Sequence, residues 1–316
     1  MILPMLCKSI AKSGDAVNPN VLPETLMNLV KDSNYIWERK YNGIRAIVTV
    51  KDGKMVSIQA RSGVEKIHLF PDIEIETKRD GVFDGEIQAR NGVFNDIQHR
   101  MNRNEATEDV LRDYPAELQV YDILSVGKNE KNLMGIPLAI RKGELKSIIV
   151  DTESCKVAEY SHDALKLIQT AKDKVWEGVI GKNLKSTYQP NARNSNWIKW
   201  KIWSKAIVWV VGYTFGTGKR QSNYGALILG RLVNGKWEHL GDSGSGLDDN
   251  GIENIYFRMS ISTISQPYFK YGSPCVWTKP FPIKVCFLEF TKDHKLVMAV
   301  FQGYPESGDE KVWKPL

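Results

Sequence analysis

Apolar residues in the first two thirds of the chain recur at spacings that predict short strands mixed with helices. Leu26, Leu29 and Val30 can share one face of a helix over residues 23–31. Further helices are predicted over 105–111 and 138–149. Stretches rich in β-branched or alternating apolar residues predict strands over 45–50, 55–60, 82–89 and 118–124. Turns such as Asn91-Gly92 separate these strands.

The pattern changes near residues 201–205, and strands dominate beyond that point. Glycine-rich turns join the strands predicted over 207–213, 226–232, 236–240 and 283–290. One helix is predicted over 251–261. A strand-rich unit of this size with a single helix is typical of a small barrel. We therefore expect one domain over 1–203 and a second over 204–316, with one continuous α+β domain as the alternative.

Composition narrows the class of protein without fixing its function. The 316 residues include 43 Lys and Arg against 37 Asp and Glu, giving a net charge of +6. This mild excess suits a surface that binds polyanions but does not require one. The four cysteines are scattered, with no Cys-x-x-Cys pair and no histidines at zinc-finger spacing. We therefore expect neither a disulfide framework nor a structural metal.

The start of the chain does not resemble a targeting segment. Its apolar run covers residues 1–6, includes Pro4 and lacks the basic flank of a secretory signal. Elsewhere, no apolar stretch approaches the roughly 20 residues that span a bilayer. We therefore expect a cytoplasmic protein without a membrane partner.

The segment Lys40-Tyr41-Asn42-Gly43-Ile44-Arg45 is the first candidate for chemistry. A lysine becomes a nucleophile when it loses its proton, and its ordinary pKa of about 10.4 must fall for that to happen near neutrality. Apolar residues before Lys40 and cationic residues elsewhere in the chain could lower that pKa. Gly43 allows a close approach of ligand to backbone, because glycine has no Cβ.

Carboxylates and lysines follow in short segments that alternate with apolar residues. Alternation places Asp84 and Glu86 on one face of a strand, where two carboxylates could hold a metal. The same rule places Lys199 and Lys201 on one face of a strand and Ile198 on the other. A pair of lysines on a half-buried strand indicates a phosphate site, although both could simply face water.

Two common kinds of site are not indicated. The chain has no Gly-x-x-x-x-Gly-Lys-Ser/Thr loop, so a P-loop nucleotide site is not expected. Its five histidines stand in no convincing Ser/His/Asp order, so we do not expect a hydrolase triad.

In order and spacing, these segments resemble the covalent nucleotidyltransferase superfamily, and within it the short, bacteriophage-type ATP-dependent DNA ligases. The likeness covers nearly the whole chain. The motifs are 40–45, 60–63, 83–86, 120–124, 177–182 and 197–201, and the glycine-rich segments 212–219 and 241–246 resemble the second domain of these ligases. The resemblance implies an α+β fold, with a nucleotidyltransferase (adenylation) domain of antiparallel sheets and helices followed by a C-terminal OB-fold β-barrel.

The resemblance also implies roles for individual residues, with ATP and Mg²⁺ as cofactors. Lys40 would attack the α-phosphorus of ATP and form a lysyl-adenylate. The implied nucleotide contacts are Glu38, Arg39, Arg45, Glu86 and Tyr121, with Lys182, Lys199 and Lys201 acting catalytically at the α-phosphate. Glu86 and Glu177 would bind the metal ion. Arg45 and Arg61, together with Lys219 and Arg220 of the second domain, would contact nicked double-stranded DNA, and the protein is expected to be a monomer.

Two positions depart from the family pattern. Asn42 stands where the first motif usually has Asp, and Gln302 stands where the last motif usually has Arg. The last motif orients pyrophosphate, so formation of the lysyl-adenylate is the step expected to be slowed, with Lys311 as a compensating cation. RNA ligase, capping guanylyltransferase and a non-catalytic nick-binding protein are the alternative readings.

Overall fold

The residues that a computed structural model of the protein describes are 2–10, 24–291, 293–309 and 313–316. They divide into two units, the first ending at Lys201 and the second beginning at Ile202. The helices of the described residues are α1 (Glu24–Val30), α2 (Phe94–Met101), α3 (Glu108–Asp113), α4 (Leu138–Ile148), α5 (Ala164–Asp173) and α6 (Asp249–Ser260), with short 3₁₀ helices at Ile67–Leu69 and Gly218–Arg220.

The strands of the first unit form two main sheets. They are β1 (Leu6–Ser9), β2 (Tyr35–Arg39), β3 (Ile44–Lys51), β4 (Lys54–Ala60), β5 (Glu76–Thr77), β6 (Gly81–Ala89), β7 (Ala116–Val126), β8 (Lys131–Asn132), β9 (Ile149–Val150), β10 (Cys155–Val157), β11 (Tyr160–Ser161), β12 (Gly178–Asn183) and β13 (Arg193–Lys201). One sheet has the order β1-β13-β12-β2-β11, and the other has the order β10-β7-β6-β3-β4 with β8 beside β7. Strands β5 and β9 pair separately.

These sheets are mixed, which corrects the expectation of antiparallel sheets. Strand β1 runs parallel to β13, and β10 runs parallel to β7. In each case a long stretch of chain separates the partners. The connection can therefore return to the end of the sheet where the first strand began, which makes the two strands parallel. The other ladders of the two main sheets are antiparallel.

An apolar cluster joins the two sheets and forms the floor of the cleft between them. It contains Ile47 of β3, Tyr121 of β7 and Trp197 of β13, together with Met5 and Tyr188. A larger core packs the β10-β7-β6-β3-β4 sheet against its helices, with Leu145 and Ile148 of α4 fully buried. The cleft is therefore lined by strands that lie far apart in the sequence.

The second unit is built on one seven-stranded sheet. Its strands are β14 (Ser204–Phe215), β15 (Tyr224–Val233), β16 (Lys236–Ser243), β17 (Thr263–Ile264), β18 (Cys275–Phe287), β19 (Val300–Gly303) and β20 (Lys314–Pro315). Their order is β16-β15-β14-β18-β17, with β19 beside β18 and β20 beside β14. Helix α6 buries Ile252, Ile255 and Met259 in the core of this unit. The Asp248 side chain caps the helix, accepting the Gly251 N–H at 2.8 Å.

Most of the predicted elements are confirmed, and the differences have local causes. The predicted strands of the first unit lie within β3, β4, β6 and β7, and the later helices appear as α4 and α6. Helix α1 begins the described residues after the gap that contains Pro23. The helix predicted from residue 105 begins at Glu108, because Thr107 has an extended backbone. The pattern missed α2, α5, the strands β1, β2, β10 and β19 and the strands of only two residues, and β18 ends at Phe287 rather than at residue 290.

No helix of the described residues is long and apolar enough to cross a membrane.

Candidate active site

Strand β2 and the turn after it position the first charged residues of the cleft. Ile36 and Trp37 are buried and anchor the strand, while Glu38 is 2% exposed. The Lys40 N–H donates to the Gly178 carbonyl at 2.9 Å, which ties the end of β2 to the start of β12. A Cβ on Gly43 would collide with the Ile87 carbonyl oxygen, so only glycine lets this turn lie against β6.

Glu177 holds two lysines at once. One carboxylate oxygen, Oε2, contacts the Nζ of Lys40, and the other, Oε1, lies 3.2 Å from the Nζ of Lys201. Glu177 directly precedes Gly178, whose φ of +153° suits glycine and brings β12 against the Trp200 carbonyl. Since the Glu177 side chain is only 7% exposed, water screens these contacts weakly.

Lys199 lies near the same cluster without a carboxylate of its own. Ile198 and Trp200 are buried on the other side of β13, so the predicted alternation of this strand is confirmed. Among the described residues, the side-chain ammonium of Lys199 has no hydrogen-bond or ion-pair partner. Burial, followed by repulsion from Lys40 and Lys201, lowers the pKa of Lys199. An unpaired, half-buried lysine beside two others is a site for an anion.

Lys182 contacts Glu38 and two aromatic rings. Its Nζ lies 2.7 Å from Glu38 Oε2, 4.0 Å from the centre of the Tyr121 ring and 4.2 Å from that of Trp197. The contact follows from strand register, because Ile180 pairs with Glu38 and Lys182 is two residues further along the same face of β12. Burial lowers the pKa of Lys182, and Glu38 opposes this shift. Lys142 forms a second ion pair with Glu38.

Arg45 is held by Asp84 rather than free in the cleft. Its Nε and Nη2 lie 2.5 Å and 2.6 Å from the two Asp84 oxygens. Glu86 pairs across the ladder with Arg45, and its carboxylate has no hydrogen-bond partner among the described residues. Burial raises the pKa of Glu86 to about 7, while Arg45 and Lys40 oppose that rise.

One cavity of about 190 Å³ brings most of the predicted site residues together. The predicted residues that line it are Glu38, Arg39, Lys40, Arg45, Arg61, Glu86, Tyr121, Lys182 and Lys199. Glu177 and Lys201 adjoin it through their contacts with Lys40 and with each other. The guanidinium of Arg39 is already stacked, at 5.1 Å from the centre of the Tyr41 ring and 4.9 Å from that of Trp176.

The remaining predicted residues belong to the second unit. Arg220 donates to the Gly244 carbonyl at 2.9 Å and so braces a loop of its own unit. The side chain of Lys219 and all of Lys311 lie outside the described part of the chain. Gln302 donates from Nε2 to the Phe301 carbonyl at 3.0 Å.

Several residues of the cavity were not predicted. Trp197 lines it, and alternation with Lys199 could have identified this tryptophan. Leu6, Cys7 and Arg193 also line it. The N-terminal strand that carries Leu6 and Cys7 has no motif, and only its pairing with β13 brings it to the site.

The carboxylates fit a magnesium ion that shares its other ligands with a substrate. The described residues hold no group of three or more His, Cys, Asp or Glu able to enclose a metal. Glu86 has an unengaged carboxylate, and it is close enough to Glu177 for that charge to help raise its pKa. Mg²⁺ in phosphate sites commonly takes one or two carboxylates and completes its shell with phosphate oxygens and water.

The part of the chain that forms this cavity matches a known protein family. The model of the ATP-dependent DNA ligase domain matches residues 4–201. The DNA ligase of Pyrobaculum islandicum is 28% identical over 306 residues, covering 88% of this chain and 50% of that protein. The multifunctional non-homologous end joining protein LigD of Mycolicibacterium smegmatis is 25% identical over 313 residues, covering 94% of this chain and 39% of that protein.

The chain thus spans about half the length, or less, of these curated relatives. A solved structure described as a minimal-scaffold Lig E DNA ligase covers 96% of this chain and 100% of its own, with a TM-score of 0.62 and 16% identity. At that identity, the likeness concerns the fold alone.

Proposed function

Because the chain belongs to the ATP-dependent DNA ligase domain family, we propose that it is an ATP-dependent DNA ligase that seals 5′-phosphate/3′-hydroxyl nicks in duplex DNA. The observation that carries this proposal is the contact of Lys40 Nζ with Glu177 beside the unpaired Lys199. A lysine nucleophile, a carboxylate beside its nitrogen and a free cation are the groups that nucleotidyl transfer to lysine requires.

Lys40 carries the first step. Its deprotonated Nζ attacks the α-phosphorus of ATP, a nitrogen–phosphorus bond forms, and the bond to the leaving pyrophosphate breaks. Glu177 contacts Nζ and is positioned to take its proton. The resulting lysyl-AMP then passes its AMP to the 5′-phosphate of the nick. Attack by the 3′-hydroxyl on that phosphate releases AMP and closes the strand.

Glu38 and Lys182 together select adenine. The Glu38 carboxylate accepts hydrogen bonds and the adjacent Lys182 ammonium donates them, which matches the N6 amino group and N1 of adenine. Guanine presents the opposite order, with O6 as acceptor and N1–H as donor. Tyr121 and Trp197 supply the aromatic wall for the base. The proposal thus gives Lys182 a role at the base, whereas the family resemblance implies a role at the α-phosphate.

The remaining cations act on phosphate. Lys199 and Lys201 neutralise the α-phosphate, because both lie near Lys40 on the same face of β13. Arg45 and Arg39 line the same cavity and support the nucleotide, while the exposed Arg61 at its rim takes the 5′-phosphate of the nick. Glu86 and Glu177 would hold Mg²⁺. When bound, this ion offsets the charge that develops on the pyrophosphate leaving group.

We propose further that residues 1–203 are the adenylation domain and residues 204–316 an OB-fold domain that binds the duplex. The largely antiparallel sheet of the second unit supports this proposal, as does α6, the one α-helix among the described residues of that unit. Lys219 and Arg220 stand at the turn between β14 and β15, where they serve as phosphate contacts. Four free cysteines favour a reducing compartment, so the enzyme acts in the cytoplasm, and it acts as a monomer.

The decisive test follows a label from ATP to DNA. The purified protein is incubated with magnesium and α-labelled ATP, and then chased with a nicked duplex. We expect label on the wild-type protein, none on Lys40→Ala, and transfer to DNA with sealing. Lys54→Ala, at the exposed start of β4, is the matched control and labels normally. Labelling of Lys40→Ala would remove this lysine as the nucleophile, and preference for GTP or for an RNA nick would favour a capping enzyme or an RNA ligase.

A further inference from the structure

A closed ring of hydrogen bonds connects four segments beneath the nucleotide cavity. The Met5 N–H donates to the Tyr188 hydroxyl at 3.0 Å, and that hydroxyl donates to Asp84 Oδ2 at 2.7 Å. Arg45 Nη2 donates to the same Asp84 oxygen at 2.6 Å and to the Met5 carbonyl at 3.1 Å. Both polar groups of Met5 are therefore held, one through Tyr188 and one through Arg45.

The ring is buried, so each of its bonds matters. Met5 and Asp84 are 0% exposed, and Tyr188 is 3% exposed. Burial, reinforced by the Asp84 charge, raises the pKa of Tyr188, so the hydroxyl stays protonated and able to donate. A hydroxyl has one proton to give, and here it gives that proton to Asp84 while accepting from Met5. Without it, a buried N–H loses its partner.

The ring fixes two walls of the cavity. Met5 leads directly into β1, whose Leu6 and Cys7 line the cavity. Arg45 lines it as well, and its bonds to Asp84 and Met5 engage Nε and Nη2, leaving Nη1 without a protein partner among the described residues. Strand β1 is only four residues long and its register with β13 shifts after Cys7, so its ladder alone holds it weakly.

We infer that Tyr188 is a positioning residue for nucleotide binding, because its hydroxyl sets β1 and the Asp84–Arg45 pair in place without lining the cavity itself. This inference rests on the proposed ligase function. It assigns Tyr188 to the ATP-binding part of that function and not to chemistry at Lys40. Its ring, packed 5.7 Å from the Trp197 ring centre, is a separate contribution to the fold.

The test separates the Tyr188 hydroxyl from its aromatic side chain. Tyr188→Phe keeps the aromatic side chain and removes both hydrogen bonds of the hydroxyl. Tyr35→Phe is the matched control, since Tyr35 is also buried and its hydroxyl donates to the Ser195 carbonyl at 2.9 Å, away from the cavity lining. Melting temperatures, the ATP dependence of lysyl-AMP formation and sealing of a pre-adenylated nick are measured for both variants.

We expect Tyr188→Phe to raise KM for ATP about tenfold while kcat changes by less than about threefold. Sealing of the pre-adenylated nick stays near the wild-type rate. Tyr35→Phe lowers the melting temperature by a similar amount and leaves KM unchanged. An unchanged KM in Tyr188→Phe, or an equal rise in Tyr35→Phe, would overturn the inference.

A second readout needs no ligase activity. In a Cys275→Ser background, where the other two cysteines besides Cys7 are buried, iodoacetamide reports on Cys7. We expect Tyr188→Phe to speed alkylation of Cys7 and Tyr35→Phe not to do so. If the wild type forms no lysyl-AMP but the two variants still differ in the alkylation rate of Cys7, the proposed function is refuted and the hydrogen-bond ring is supported. Equal alkylation rates in the two variants refute the hydrogen-bond ring. If Tyr188→Phe does not fold, hydrogen exchange of the wild type decides, because an unprotected Met5 amide contradicts the ring.

Discussion

The Nζ of Lys182 lies 2.7 Å from the Oε2 of Glu38, and both side chains are 2% exposed. A buried charge pair of this kind is costly to assemble, because both ions lose their water. Here Lys142 forms a second ion pair with Glu38, so this carboxylate faces two ammonium groups. The two buried ammonium groups outnumber the single carboxylate of Glu38. Hydrogen-bond donors therefore remain beside the aromatic wall, and a nucleotide base can accept from them.

Lys182→Met tests the assignment of this pair to adenine. The substitution keeps a long apolar stem and leaves Lys142 with Glu38, but removes the donor to N1. A hydrogen bond to a charged group contributes about 1.5–3 kcal/mol, so we expect KM for ATP to rise roughly 10- to 100-fold and the preference for ATP over GTP to shrink. Initial rates of lysyl-AMP formation give both values. Lys185→Met, exposed in the same segment, is the control, and a wild-type KM in Lys182→Met would contradict the assignment.

Glu177→Gln tests whether the carboxylate prepares the nucleophile. The amide has nearly the same shape as the carboxylate, but it cannot take the proton that the Lys40 Nζ must lose before it attacks. We expect lysyl-AMP formation to slow at least about 100-fold, which corresponds to about 2.7 kcal/mol in the barrier. Single-turnover labelling at saturating ATP measures the rate. Glu153→Gln removes a carboxylate that is 85% exposed and should label as the wild type does; a comparable loss there would point to a general charge effect.

Local motifs could be recognised from the sequence, whereas contacts between distant segments could not. Glu38 lies two residues before the motif that begins at Lys40, and the alternation in β13 correctly separates Lys199 from Ile198. Met5 and Tyr188, by contrast, are 183 positions apart and lie in no shared pattern. The parallel pairing of β1 with β13 likewise depends on tertiary packing, since four residues carry too little periodicity to specify a partner.

Other omissions had a readable signal. Helix α5 begins after Asp163, whose side chain accepts the Lys166 N–H at 2.9 Å, and an acidic residue before an apolar-periodic run is a recognised helix start. The place of Lys182 required the register of β12 against β2, which the spacing from Glu177 alone does not give. Register is set by which faces are buried, and that becomes known only when the sheets pack.

The raised pKa of Glu86 leads us to predict that the stability of the protein without magnesium depends on pH. Burial raises its pKa from 4.5 to about 7, so the folded protein keeps a proton that the unfolded chain releases at lower pH. The stability contributed by this group is fully present below the unfolded pKa and is lost as the pH rises through the folded value. Between about pH 5 and about pH 8, urea denaturation should show a larger fall in the free energy of unfolding for the wild type than for Glu86→Gln. Equal falls would show that Glu86 does not titrate in this window.

Gly178 and Gly143 make opposite predictions for the same substitution. Gly178 has a φ of +153°, and a Cβ there would collide with the Trp200 carbonyl, so Gly178→Ala must displace β12 together with Glu177. We expect a loss of at least about 2 kcal/mol in the free energy of unfolding, with slower lysyl-AMP formation in the fraction that folds.

Gly143 is exposed within α4, and a Cβ there meets nothing within 4 Å. Alanine favours a helix interior over glycine by about 0.5–1 kcal/mol, so Gly143→Ala should stabilise the protein and leave labelling unchanged. Denaturant unfolding of both variants measures the contrast, and a tolerated Gly178→Ala would mean that the close approach of β12 to β13 does not position Glu177.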